Sequence, residues 1–175
     1  SPELARDKTK RDGVIKQIAI GALKWNELSQ DPKRSIEFHW EKVLNLEGYS
    51  SPYVQYTAVR AGSIIEAAKK EGIDLSFKDN LSPEAYAHPS ERALIRKLAE
   101  FPKVITTAQE SNNPSQVAIY VYELAKRFNT FYKDLQVLKG NSDNVRDSRL
   151  RLVVATRQVI TNGLEILGIE VPEKM

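Results

Sequence analysis

Three side chains in the first half of the chain have types and spacing that suit the binding of unpaired nucleotides. Tyr53, Tyr56 and Arg60 are separated by three and four residues, so they share one face if the segment is helical. Tyrosine rings stack on unpaired bases, and an arginine guanidinium binds phosphate groups. The same spacing also suits core tyrosines whose hydroxyls reach water, and spacing alone favours that second interpretation.

Further tyrosines lie in a more basic part of the chain. Tyr120 and Tyr132 are twelve residues apart, which places them about 120° apart around a helix. We therefore expect at least one of them to leave the apolar core, and Tyr132, beside Lys133, is the better surface candidate. Residues 126–157 contain eight basic and three acidic side chains, whereas the whole chain has a net charge of only +3.

The residue patterns of common active sites are absent from the sequence. It contains no cysteine and two histidines, His39 and His88, which excludes disulfides, thiolate chemistry and a histidine-rich metal site. No glycine-rich phosphate loop, H-E-x-x-H or G-x-S-x-G pattern occurs. We interpret His39, between Phe38 and Trp40, as a packing residue, and we find no active site in this chain.

The periodicity of apolar residues predicts an all-helical protein. Two long helices, over 114–138 and 145–167, should pack antiparallel because their connection is short. A helix over 11–28 would place Val14, Ile18, Leu23 and Trp25 near one face. The other predicted helices cover 40–46, 52–70, 89–100 and 101–112, and residues 73–88 read as irregular.

The length of 175 residues suits one domain with a hydrophobic core. No apolar run approaches the roughly 18 to 20 residues that span a bilayer, and the N-terminal stretch does not resemble a signal peptide. The sequence begins Ser1-Pro2 and its only methionine is Met175. We expect either a processed start or a fragment of a longer protein.

Several segments, in order, carry a resemblance to a known family. They read IGALK from residue 20, IEFHWEKVLNLEG from 36, PYVQYTAVR from 52, RQVITNGLEILGI from 157, and VPEKM at the end. Together they are similar to the C-terminal, all-helical anticodon-binding domain of arginyl-tRNA synthetases, a type named for an Asp-Ala-Leu-Arg pattern. Ser50-Ser51 departs from the threonine-glycine that commonly precedes the tyrosine block in that family.

The resemblance implies an all-α fold, an antiparallel helix bundle of the class I synthetase anticodon-binding type. It also implies that residues matching Tyr53, Arg60, Tyr132 and Met175 approach the anticodon loop. Arginine codons all have G in the middle, so the central anticodon base is C. We expect the loop from Glu47 to Ser51 to read it, because short loops expose unpaired backbone N–H and C=O groups. The full candidate set is Tyr53, Arg60, Tyr132, Met175, Tyr56, Glu47, Gly48, Tyr49, Ser50 and Ser51.

The same resemblance implies that the chain is the C-terminal part of an arginine–tRNA ligase, which attaches arginine to its tRNA using ATP. The chain alone is expected to be inactive and to bind no cofactor, since ATP and Mg belong to the catalytic domain of the parent chain. The expected partners are the anticodon loop of tRNA for arginine and that catalytic domain. Residues 1–30 should form a helix that links to it and packs on the bundle, and residues 31–175 should form the tRNA-binding bundle. We expect a cytoplasmic monomer without membrane contact.

Two alternatives stay open at this stage. Cysteinyl, methionyl and glycyl synthetases use related helical domains, although the terminal proline-x-x-methionine favours the arginyl enzyme. A helical protein-interaction scaffold with an incidental basic surface is the other alternative. Such a scaffold would bind tRNA only at low salt and without dependence on the anticodon sequence.

Overall fold

The computed structural model describes residues 5–33, 38–45, 48–77, 83–139 and 142–175, and its backbone there contains helices and no strand. This confirms the prediction of an all-α bundle. Within these ranges no helix is long and apolar enough to cross a membrane. The helices bounded there are α1 (Lys8–Leu28), α2 (Trp40–Val43), α3 (Ser51–Lys70), a 3₁₀ turn (Pro83–Tyr86), α4 (Pro89–Ala99), α5 (Phe101–Glu110), α6 (Ser115–Asp134) and α7 (Asp143–Ile166).

Local sequence explains where the important helices begin and end. α3 begins at Ser51 because the Ser50 hydroxyl accepts a hydrogen bond from the Tyr53 amide at 3.4 Å, and Pro52 suits the first turn. α7 ends as expected before Gly168, whose φ of 66° is a left-handed conformation that glycine adopts without strain. Its amide donates to the Glu165 carbonyl at 2.8 Å.

The core lies among α3, α6 and α7, and α6 and α7 pack antiparallel as predicted. Gly163, near the end of α7, lies so close to the first half of α6 that a Cβ there would overlap Val121 Cγ1. At the opposite end, Arg149 of α7 donates to the Gln136 carbonyl just after α6. The fully buried side chains of the pair include Val121, Leu124, Phe128, Phe131, Leu150, Val153, Ile160 and Leu164.

Two predicted helix ends are wrong. α6 ends at Asp134 rather than at residue 138, because Leu135 is extended with φ −133° and ψ 134°. This departure from the helix buries Val137 and presents the Gln136 carbonyl to Arg149 at 3.0 Å. α2 ends at Val43 rather than at Leu46. Leu46 and the predicted stop at residues 140–141 lie outside the described residues.

α1 packs on α3 through small residues, which corrects the predicted apolar face. Gly21 and Ala22 are buried with Trp25, whereas Leu23 is 43% exposed. A Cβ on Gly21 would lie 2.9 Å from Gln55 Nε2 and 3.1 Å from Ile169 Cγ2. The close approach that glycine permits turns α1 so that Leu23 faces outward.

Candidate nucleic-acid interface

A hydrogen-bonded network centred on Asn129 joins α3 to α6. The Asn129 Nδ2 donates to the Tyr53 hydroxyl at 2.9 Å and to the Thr57 hydroxyl at 3.1 Å. Its Oδ1 accepts from Arg60 Nη1 at 2.9 Å. Sequence reasoning missed Asn129, although its position one helical turn before Tyr132 was a signal that could have found it. The network fixes Arg60 and Tyr53 relative to one another.

Arg60 lies between two exposed tyrosine rings. Its guanidinium carbon is 4.8 Å from the ring centre of Tyr56 and 5.4 Å from that of Tyr132, within cation–π range. The two rings are 41% and 42% exposed. Phe128, in the core, lies nearly parallel to the Tyr132 ring, with 12° between the planes and 6.4 Å between centres. The geometry therefore presents two oriented rings and one cation to solvent.

Each tyrosine prediction can be compared with this arrangement. Tyr120 is buried and its hydroxyl donates to the Lys97 carbonyl at 2.8 Å, while Tyr132 is exposed, so the expectation that one of them leaves the core is confirmed. Tyr53 packs partly against the core, as expected if it is a core tyrosine. Tyr56 and Arg60 share its helical face but reach the surface.

Tyr49 extends the aromatic surface beyond α3. Its ring contacts Trp25 and Tyr122 edge to face, with centres 5.3 and 4.8 Å apart, and Tyr122 in turn lies 5.4 Å from Tyr53. Burial raises the pKa of Tyr49 to about 12, although a hydrogen bond to Ser29 opposes the shift. The phenol therefore stays neutral near pH 7, so it does not repel a phosphate group.

Only part of the predicted loop is placed to touch a ligand. Ser50 and Ser51 are fully buried, and the Ser50 hydroxyl donates to the Asn45 carbonyl while capping α3. Their side chains serve the fold and do not reach the surface. Gly48 and Tyr49 line a cavity of about 590 Å³ beside Trp25. Glu47, the remaining member of the predicted loop, lies outside the described residues.

Met175 and Tyr56 line the same cavity, which has a volume of about 450 Å³. Its other lining residues include Pro52 at the start of α3 and Ile18 of α1. Tyr56 thus borders this cavity, and its ring also lies against the Arg60 guanidinium. The structure places the predicted residues Tyr53, Tyr56, Arg60 and Tyr132 in one cluster, with Met175 beside it across Tyr56.

Within the described ranges no group of three or more His, Cys, Asp or Glu side chains could hold a metal ion. The cluster itself offers ring stacking, a fixed guanidinium and amide hydrogen bonds. An unpaired nucleotide chain offers flat bases and phosphates that match these groups.

Comparison with known proteins supports the same interpretation. Residues 54–175 match the family described as DALR anticodon binding domain. The chain is 38% identical over 177 residues to an arginine–tRNA ligase of Pyrococcus furiosus, covering 100% of this chain and 28% of that protein. It is 36% identical over 175 residues to one of Chloroflexus aurantiacus, covering 100% and 30%. The chain thus spans less than a third of the length of these relatives.

Solved structures give the same fold. An arginyl-tRNA synthetase of Thermus thermophilus matches with a TM-score of 0.79 and 31% identity, covering 91% of this chain and 27% of that chain. One of Plasmodium falciparum matches with a TM-score of 0.80 and 25% identity, covering 94% and 28%.

Proposed function

We propose that this chain, which belongs to the DALR anticodon-binding domain family, binds the anticodon loop of a tRNA for arginine. The observation that carries the proposal is the placement of Arg60 between the exposed rings of Tyr56 and Tyr132, 4.8 and 5.4 Å away. Rings of this kind stack on unpaired bases, while the guanidinium binds phosphate or a base edge. The Asn129 network orients the Arg60 guanidinium before RNA binds, which lowers the entropy lost on association.

The proposed reading combines tolerant and selective contacts. Stacking on Tyr56 and Tyr132 accepts any base, as the variable first and third anticodon positions require. Selection of the central C requires hydrogen bonds to its edge, which we assign to backbone groups at Gly48 and Tyr49 beside the 590 Å³ cavity. We assign Met175 to the wall of a neighbouring base site, because it lines the cavity that Tyr56 borders.

We further propose that the chain serves as the RNA-binding part of an arginine–tRNA ligase, acting in the cytoplasm as a monomer. In that setting the attachment of arginine, with its ATP and Mg, belongs to a catalytic domain of the same polypeptide. The relatives that match over the whole of this chain are more than three times its length, which supports a separate catalytic domain in the same polypeptide.

A base substitution tests the RNA-reading proposal. Binding of the chain to an arginine anticodon stem–loop, measured by fluorescence anisotropy, should weaken at least about fivefold when the central C is replaced by U. Replacement leaves backbone partners unpaired in the site, which costs about 1–3 kcal/mol. The matched control changes the first anticodon base, with an expected effect of less than about threefold.

Salt separates this proposal from the scaffold alternative. Base reading requires that the preference for the central C persist at 150 mM salt, because hydrogen bonds to a base edge are not screened as phosphate contacts are. Equal affinities for both loops, with binding lost as salt rises, would contradict the proposal and favour an incidental basic surface.

The exposed apolar side of α1 supports a docking role for that helix. Ile20 and Leu23 are 40% and 43% exposed, while the side of α1 with Gly21 and Trp25 packs inward. We propose that the catalytic domain of the parent chain covers these residues, with residues 1–30 as the link to it and residues 31–175 as the RNA-binding bundle.

Hydrogen exchange tests this docking. In the isolated chain the amides of α1 should exchange faster than those of α6, because one side of α1 has exposed apolar residues and few packing partners. Joined to the catalytic domain, α1 should slow while α6 stays unchanged. Two results would show that α1 needs no partner domain for its packing. One is equal amide exchange of α1 and α6 in the isolated chain, and the other is unchanged exchange of α1 after the catalytic domain is attached.

A further inference from the structure

A buried glutamine connects α1, α3 and the last residues of the chain. Gln55 is 0% exposed and precedes Tyr56 on α3. Its Nε2 donates to the Glu170 carbonyl at 2.7 Å and to the Gln17 carbonyl at 3.4 Å. A buried side-chain amide needs partners, and the nitrogen finds both of its partners in other parts of the fold.

Independent contacts fasten the same terminal segment, residues 167–172. Ile169 is buried, and its Cγ2 would lie 3.1 Å from a Cβ on Gly21. The Lys24 ammonium donates to the Gly168 carbonyl, and Gln17 Nε2 donates to the Glu170 carboxylate at 3.0 Å. Among these contacts, only the Gln55 hydrogen bond to Glu170 ties the segment to α3, the helix that carries Tyr56 and Arg60, from a fully buried position.

The path of the chain after Glu170 leads to the RNA site. Pro172 is buried, and Met175 then lines the 450 Å³ cavity together with Tyr56 and Pro52. Gln55 and Tyr56 are neighbours on one helix, so the same helix holds the segment on its inner side and presents a ring to the cavity on its outer side.

We propose that Gln55 is a positioning residue, whose carboxamide holds the 167–172 segment and thereby sets Met175 in the cavity that Tyr56 borders. The inference rests on the proposed function for the role of Met175 toward RNA, but the position of Met175 can be measured without RNA. A leucine at position 55 would fill similar space and leave the Glu170 carbonyl unpaired. The specific contribution of glutamine is therefore the hydrogen bond and not the packing.

The single methionine of the sequence makes the test direct. Protein carrying [methyl-¹³C]methionine, with the initiator residue removed, gives one methyl signal, from Met175. In the native chain we expect this signal to be shifted from the free methionine position by the Tyr56 ring, with an NOE between the methyl group and that ring. In Gln55→Leu we expect the shift to move toward the free position and the NOE to vanish.

The matched control removes a different buried hydrogen bond. Ser148 is fully buried and its hydroxyl donates to the Asn144 carbonyl at 2.7 Å, near the start of α7 and far along the helix from residues 167–175. Ser148→Ala should leave the Met175 signal in place. An unchanged signal in folded Gln55→Leu would overturn the proposal, as would an equal displacement in Ser148→Ala.

A second variant covers the case in which Gln55→Leu does not fold. In Gln55→Glu the neutral acid can donate to the Glu170 carbonyl as the amide does, whereas the carboxylate cannot. Burial favours the neutral form, so the Met175 signal should be native-like at acidic pH and displaced at alkaline pH. A signal that stays native-like at every pH would contradict a positioning role.

RNA binding tests whether Gln55 affects function through Met175. We expect Gln55→Leu to weaken binding of the arginine anticodon stem–loop by about the same factor as Met175→Ala. Because both changes remove the same contact, that of Met175 with the RNA, the double variant should bind no more weakly than Met175→Ala alone. Additive losses would overturn the proposal. If the native chain does not bind the loop, the proposed function fails, while the methyl signal still decides the role of Gln55.

Discussion

Replacement of Tyr132 by alanine is expected to weaken binding of an arginine anticodon stem–loop by about 1–3 kcal/mol, the usual contribution of one base stacked on an aromatic ring. The ring is 42% exposed and is oriented by Phe128 beneath it, so it offers a fixed stacking surface. Its removal also deprives Arg60 of one of the two rings that flank its guanidinium. Fluorescence anisotropy at 150 mM salt measures the change.

Two controls make the Tyr132 result specific. Tyr132→Phe keeps the ring and should bind within about twofold of the native chain, because stacking needs the π-face and not the hydroxyl. Tyr120→Phe changes a tyrosine of the same helix that is buried and should leave RNA affinity unchanged. If Tyr132→Ala binds the stem–loop within twofold of the native affinity, the Tyr132 ring is not part of the interface.

Replacement of Arg149 by leucine is expected to lower the free energy of unfolding by about 3–5 kcal/mol, the usual cost of removing one partner from a buried ion pair. Arg149 Nε lies 3.0 Å from Glu91 Oε1, with side chains only 15% and 2% exposed. The second carboxylate oxygen accepts from the His88 amide at 2.9 Å, and Arg149 also donates to the Gln136 carbonyl. The variant therefore leaves a buried carboxylate and a carbonyl without their cation. Urea unfolding followed by circular dichroism gives the change.

A surface ion pair provides the comparison. Lys69 and Glu66 are even closer, at 2.8 Å, but their side chains are 57% and 63% exposed. Water solvates both charges there, so Lys69→Leu should change the free energy of unfolding by less than about 1 kcal/mol. Equal costs for Lys69→Leu and Arg149→Leu, or a cost below 1 kcal/mol for Arg149→Leu, would show that burial does not control the contribution of these pairs.

Much of the helical layout was predictable because each helix carries its own signals. The apolar period located α6 and α7, and the proline at the start of α3 and the glycine after α7 located two helix ends within about one residue. The same period placed Tyr53, Tyr56 and Arg60 on one face and separated Tyr120 from Tyr132. Those inferences need only the geometry of a single helix.

The predictions that were wrong depend on contacts between helices. Nothing near Leu135 in the sequence marks the end of α6. The end is set by Arg149, which takes up the Gln136 carbonyl, and by the burial of Val137. Leu23 was predicted to share one face with Trp25, yet Gly21 lets α1 approach Gln55 so closely that Trp25 is buried and Leu23 turns outward. The spacing of apolar residues along a helix does not show which side of that helix a neighbouring helix will approach.

The sequence by itself determined the helical class, the family resemblance, and a short set of residues, chiefly tyrosines and Arg60, able to bind unpaired nucleotides. Only the tertiary structure decided which of them lie together. It added Asn129 as the link between Tyr53 and Arg60, removed the Ser50 and Ser51 side chains from the surface, and placed Met175 in the wall of the cavity that Tyr56 borders. The physical reason is that residue type and spacing are local properties, whereas burial and hydrogen-bond partners depend on segments that are far apart in the chain.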